Sequence, residues 1–136
     1  MAIIKIQDVI AKRKVKNAEK TATVFVPSLD GEIKIKSPSD DDMREYDHAL
    51  YYEFAPTQDN EIMKKATSKL ILRNVVEPNL KDADLIEAMG CKKNPEGIVD
   101  AVFSVGEIMQ IASLILKLGG KGDPKAVRLV DELKNE

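Results

Sequence analysis

Apolar and polar positions alternate at two places early in the chain. Ala22, Val24 and Val26 fall on one side of residues 21–26, and Ile33 and Ile35 alternate with charge across residues 32–36. Pro27-Ser-Leu-Asp-Gly31 lies between them and is rich in turn residues. Period-two alternation on both sides of a turn predicts a β-hairpin over 21–36 with one apolar face. A lone hairpin is marginal in water, so that face must pack on helices.

Beyond residue 38 the period becomes helical. Met43, Tyr46, Leu50 and Phe54 share one helical face, which predicts a helix over 40–54. Ser39 is positioned to cap it, with Asp40, Asp41 and Asp42 at the positive end of its dipole. Ala55-Pro56 is expected to end it. A second helix is expected over 61–76, capped by Asn60, with Ile62, Met63, Ala66, Leu70 and Val75 or Val76 inward and Ile71 and Leu72 widening the face. Glu77-Pro78 should stop it, because the residue before proline disfavours the α conformation. Three short helical units follow: 81–89 closed by Gly90, 95–104 opened by Pro95, and 107–118 closed by Gly119-Gly120.

The 107–118 unit is apolar nearly all round, from Ile108 and Met109 to Leu116 and Leu118. Such a helix belongs in a domain centre or an interface. A last helix is expected over 124–134, with Val127, Leu129, Val130 and Leu133. Residues 2–18 show no clear stripe; Ile3, Ile4 and Ile6 suggest a short strand running into a helix. The fold class predicted is α+β, mainly α-helical: a helical bundle with one N-terminal β-hairpin. One domain over 1–136 is expected, with its helical core in 39–118 and looser segments at 1–20 and 123–136.

Composition narrows the picture. A chain of 136 residues suits one domain with a core that needs no disulfides. With 43% hydrophobic and 32% charged residues, wholesale disorder is not expected. Aromatics are 4% and Trp is missing, so the core is aliphatic. The single Cys91 rules out an internal disulfide or a Cys-rich zinc site, and the single His48 rules out a His-pair metal motif. The most apolar stretch, 108–118, contains Gln110 and Lys117 and falls short of the roughly 20 residues of a membrane span. The N-terminus lacks a secretory signal pattern. A soluble, intracellular protein with no membrane contact is expected.

Charge is uneven beneath a net −2. Residues 1–20 balance at +4, residues 21–61 at −7 and residues 62–136 at +1. The basic head, Lys12 to Lys20, is either a solvated terminus or a contact for an anionic partner. It has no interleaved aromatics, so nucleic acid is a poor fit. Asp40, Asp41 and Asp42 lack the spacing of a calcium loop.

No catalytic pattern, metal site or cofactor motif stands out. Gly119-Gly-Lys-Gly-Asp123 superficially suggests a phosphate loop, but Ile115 stands where its first glycine belongs and a helix precedes it. No nucleophile elbow surrounds Ser104 or Ser113. Lys92 and Lys93 flank Cys91, yet the only histidine is distant in sequence. The protein is read as a non-enzyme without cofactors.

Residues 70–82, Leu-Ile-Leu-Arg-Asn-Val-Val-Glu-Pro-Asn-Leu-Lys-Asp, resemble the "helix, VxEPNLKD, second helix" signature of XkdN-like tail assembly chaperones. These belong to contractile-tailed phages and phage-derived elements of Gram-positive bacteria. Glu77, Pro78, Asn79 and Leu80 carry the motif; Gly90, Pro95, Gly106-Glu107 and Gly119 follow in the family's order. The likeness covers 70–136, and the earlier part matches in layout alone. It implies a non-catalytic chaperone of the host bacterial cytoplasm, missing from the mature particle. Such a chaperone binds the tape measure protein, keeps it soluble and helps tail tube subunits polymerise around it. It also implies a second, longer form made by a −1 frameshift, whose extension recruits tail tube protein. Leu133, Lys134 and Asn135 can be encoded by a slippery heptamer. Ile108, Ile111, Ile115 and Leu118 are expected to form the core behind a client groove. Two other readings stay open: a structural tail completion or connector subunit, and a small nucleic-acid-binding regulator using the basic head. A homo-oligomer is compatible with all three.

Overall fold

A computed structural model describes residues 3–13 and 19–121. The helix expected over 124–134 and the Leu133–Asn135 segment lie outside those residues. The described elements are α1 (Ile6–Arg13), β1 (Thr21–Val26), β2 (Gly31–Lys36), α2 (Asp40–His48), α3 (Ala55–Thr57), α4 (Asn60–Asn74), β3 (Val75–Glu77), α5 (Ala83–Ala88), α6 (Ile98–Val102) and α7 (Val105–Leu118). The fold is α+β and mainly helical.

The hairpin forms, paired from Thr21↔Lys36 to Val26↔Gly31. A 3-10 turn over Pro27–Leu29 and a left-handed Asp30 connect its strands. It is not alone: β3 pairs antiparallel with β2, giving the order β1-β2-β3. Residues 75 and 76, expected to finish a helix, open β3 instead, because α4 ends at Asn74. Two consecutive β-branched valines and the restriction imposed by Pro78 both favour extended backbone there. Val75 is then buried opposite Ile35.

The helix expected to stop at Ala55-Pro56 runs on. A π turn over Ala49–Phe54 joins α2 to α3, and Ala55 N–H donates to the Leu50 carbonyl. This turn shifts the hydrogen-bond register just ahead of the proline ring, so Pro56 sits in the first turn of α3. The chain stops only at left-handed Gln58. Met43, Tyr46, Leu50 and Phe54 are half-buried along this run, and Ala49 is buried.

Caps set the other boundaries. Ser39 Oγ accepts from Asp42 N–H at 3.1 Å, as expected. Asp59, rather than Asn60, caps α4 through Glu61 N–H at 3.1 Å. Asp82 caps α5 through Leu85 N–H at 3.0 Å. The 95–104 unit divides into a 3-10 turn over Pro95–Gly97 and the short α6, which ends at extended Phe103. Residues 3–5 form no strand.

The core lies between the apolar face of the sheet and helices α4, α6 and α7. Val26, Ile33 and Ile35 meet Leu70, Ile71, Ile98, Val99, Phe103 and the inner residues of α7. Asn74 is fully buried at the end of α4, where its Nδ2 donates to the Leu70 carbonyl at 2.8 Å and reaches Asp42 Oδ2 at 3.4 Å. Arg73 bridges Asp42 and Glu45, binding α4 to α2. No single helix among the described residues is long and apolar enough to cross a membrane.

Candidate functional site

Helix α7 carries more apolar residues than the fold covers, beside an exposed polar strip of Gln110, Ser113 and Lys117. Ile108, Ile111, Ala112 and Ile115 are buried. Val105 and Met109 remain 73% and 67% exposed, and Leu114 38%. Residues three and four apart share a helical face, so 108, 111, 112 and 115 form the inner stripe and 105, 109 and 114 flank it. Beside α7, Phe25 is 57% exposed on the outward side of β1, where Thr21 and Thr23 also point. Leu29, in the hairpin turn, is exposed as well.

Two grooves flank the exposed ridge. One lies between α7 and edge strand β1, with Phe25, Pro27, Met109 and Leu114 in its walls and a volume of about 440 Å³. The other lies between α7 and α4, with Met63, Ile108, Ala112 and Leu116 in its walls and a volume of about 920 Å³. Both are open, mostly apolar and rimmed by Lys117. Exposed apolar surface with a polar rim marks an interaction site.

Glu107 locks this ridge to the hairpin. It forms a capping box with Ser104: Ser104 N–H donates to Glu107 Oε1 at 2.9 Å, and Glu107 N–H donates to Ser104 Oγ at 3.3 Å. Its other oxygen accepts from Ser28 Oγ at 2.7 Å, across the hairpin turn. The Ser104 backbone bond, followed by the Ser28 hydroxyl, holds the Glu107 carboxyl below the usual glutamate range.

The motif residues singled out in the sequence do not converge on one spot. Glu77 lies in β3 opposite Lys34. Pro78 follows a cis peptide bond. Asn79 Oδ1 accepts from Lys81 N–H at 3.0 Å, closing a local turn, and Leu80 is buried in the core. Gly90 ends α5 at φ 71°, with the Gly90 and Cys91 N–H groups donating to Glu87 and Ile86 carbonyls. Pro95 opens the 3-10 turn. Gly106, in the first turn of α7, has open space around it. Gly119 is a close-approach glycine: a Cβ there would lie 3.0 Å from Pro38 Cγ and 3.3 Å from Met43 Sδ.

These residues terminate elements and set their spacing, and the spacing is what a family pattern records. The model of the phage XkdN-like tail assembly chaperone family matches residues 6–134. The chain belongs to that family. Comparison with curated proteins and with solved structures finds no match.

In this tail assembly chaperone the remaining chemical candidates have local partners. His48 stacks on Tyr52 at 5.2 Å, with Nδ1 4.0 Å from Glu53. Cys91 is half-buried against the core, its Sγ 3.5 Å from the Met89 carbonyl. Among the described residues, no group of three or more His, Cys, Asp or Glu side chains is placed to hold a metal ion.

The exposed surface residues of the chaperone escaped the sequence reading. Phe25 offered a signal: it is an aromatic at a position where alternation calls for a polar residue. Met109 and Leu114 offered none beyond the all-round apolarity of their helix, since only the docked partners of α7 decide which side is covered.

Proposed function

We propose that this chaperone binds the tape measure protein of its tail, keeps it soluble and assists tail tube subunits to polymerise around it. The observation that carries the reading is the uncovered apolar ridge of α7 beside Phe25, joined to membership of the family. Met109, Leu114 and Phe25 make the contact, and an amphipathic helix of the tape measure protein lays its apolar face against them. The inner stripe of α7 holds the ridge rigid from behind. The role is non-catalytic, is carried out in the host bacterial cytoplasm and leaves the chaperone out of the finished particle.

Co-expression with the tape measure protein encoded beside it tests this. The reading expects more soluble tape measure protein and a co-purifying complex; insoluble client with no complex would refute it. Mass spectrometry of finished particles separates a connector subunit, which would be retained, from a chaperone, which would not. A longer form made by −1 frameshifting at the Leu133–Asn135 codons would recruit tail tube protein. Silent recoding of those codons should abolish that form.

A further inference from the structure

Helix α1 is amphipathic, yet its apolar face is uncovered. Ile6, Val9 and Ile10 fall at i, i+3 and i+4 on one side, with Ile3 and Ile4 just ahead of the helix. All five side chains are exposed, and no residue of α1 is buried. Single exposed apolar residues need no explanation, but a run of this density forms a patch of the kind that partners cover. The charges within 3–13 are Lys5, Lys12 and Arg13 against Asp8, so the patch has a basic border.

A surface of opposite character lies on the π turn after α2. Tyr51 and Tyr52 are 61% and 74% exposed, and Tyr52 is set in place by stacking on His48. The surrounding segment is acidic: residues 40–61 hold eight carboxylates against Arg44. Arg73 and Lys69 answer Asp42 and Glu45, and Lys121 answers Asp47. Glu53, Asp59 and Glu61 pair with no lysine or arginine among the described residues; Glu53 faces His48, and Asp59 accepts from Glu61 N–H. An aromatic pair with an acidic border suits an apolar helix with a basic one.

The α1 of the same molecule leaves these tyrosines uncovered. Pairing of α1 with another α1 would bring two basic borders together, which charge disfavours. We propose that α1 of one molecule docks Ile6, Val9 and Ile10 on Tyr51 and Tyr52 of a second copy, with Lys5, Lys12 and Arg13 beside Glu53, Asp59 and Glu61. The contact involves neither α7 nor Phe25. It leaves the ridge proposed for the tape measure protein open, and it stands or falls separately from that reading.

Sedimentation equilibrium of the full chain tests this, at concentrations up to about 1 mM, where a small transient contact is populated. The natural chain should gain weight-average mass as concentration rises. Ile6→Asp/Ile10→Asp and Tyr51→Lys/Tyr52→Lys should each sediment as monomers with native-like urea midpoints, since all four side chains are exposed. An equimolar mixture of the two variants should associate again, because one supplies an intact α1 and the other intact tyrosines. A natural chain that stays monomeric, a variant that associates as well as the natural chain, or a mixture that stays monomeric would each overturn the proposal.

Discussion

The two sides of α7 are built from the same kinds of residue and have different fates. Ile108, Ile111, Ala112 and Ile115 face α4, α6 and the sheet and are buried. Val105, Met109 and Leu114 are comparably apolar and stay in contact with water. The outer side is mixed: exposed Gln110, Ser113 and Lys117 share it with Val105, Met109 and Leu114. The contrast separates surface that holds the fold from the surface proposed to meet a partner, and it predicts opposite responses to substitution.

The largest effect belongs to the inner side. Ile115 is fully buried, and Ile115→Ala should cost about 2–5 kcal/mol of stability through lost burial and the cavity left behind. Urea unfolding followed by circular dichroism would register it. Next comes the anchorage of the helix end. Gly119→Ala forces a methyl group to 3.0 Å from the Pro38 ring, and overpacking of this kind typically costs about 1–3 kcal/mol. The same urea titration checks it, and no loss would mean that Pro38 and Met43 give way freely.

At the other end of α7, Ser104→Ala removes the hydroxyl that accepts from Glu107 N–H, for about 0.5–2 kcal/mol. Amide exchange in the first turn of α7 should rise with it.

A smaller effect, read from pH, concerns the α2–α4 link. The Arg73 hydrogen bond, with further help from the Arg73 and Lys69 charges, lowers the Glu45 pKa in the folded protein. A carboxylate depressed in the folded state stabilises above its unfolded pKa, about 4.3 for glutamate, and that contribution fades as pH falls through the folded value. The urea midpoint should therefore decline with acid below about pH 4.3. Glu45→Gln should flatten part of that decline, whereas an unchanged slope would remove the link from the stability account.

The smallest stability change is expected on the outer side. Exposed substitutions usually stay within about 0.5 kcal/mol, so Met109→Asp should hardly move the urea midpoint. A loss as large as that of Ile115→Ala would erase the distinction between the two sides.

Much of this architecture could be read from residue pattern. The hairpin followed from alternation at Ala22, Val24, Ile33 and Ile35, and Ser39 announced its helix by capping chemistry. Strand β3 could not be read, because Val75 and Val76 suit a helix face as well as a strand, and only the open edge of β2 makes the strand favourable. The π turn before Pro56 was hidden for a similar reason: proline signals a helix stop, and the register shift that accommodates it leaves no residue signature. Of the proposed contact surface, the core behind it was visible in Ile108, Ile111 and Ile115. Its exposed residues were not, since exposure depends on which neighbours dock on α7.

The most direct measurement is the affinity of purified chaperone for the tape measure protein, comparing the natural chain with Met109→Asp/Leu114→Asp at equal folded concentration. A native-like urea midpoint together with a loss of binding of at least tenfold is expected. Undiminished binding by that doubly substituted, fully folded chaperone would contradict it.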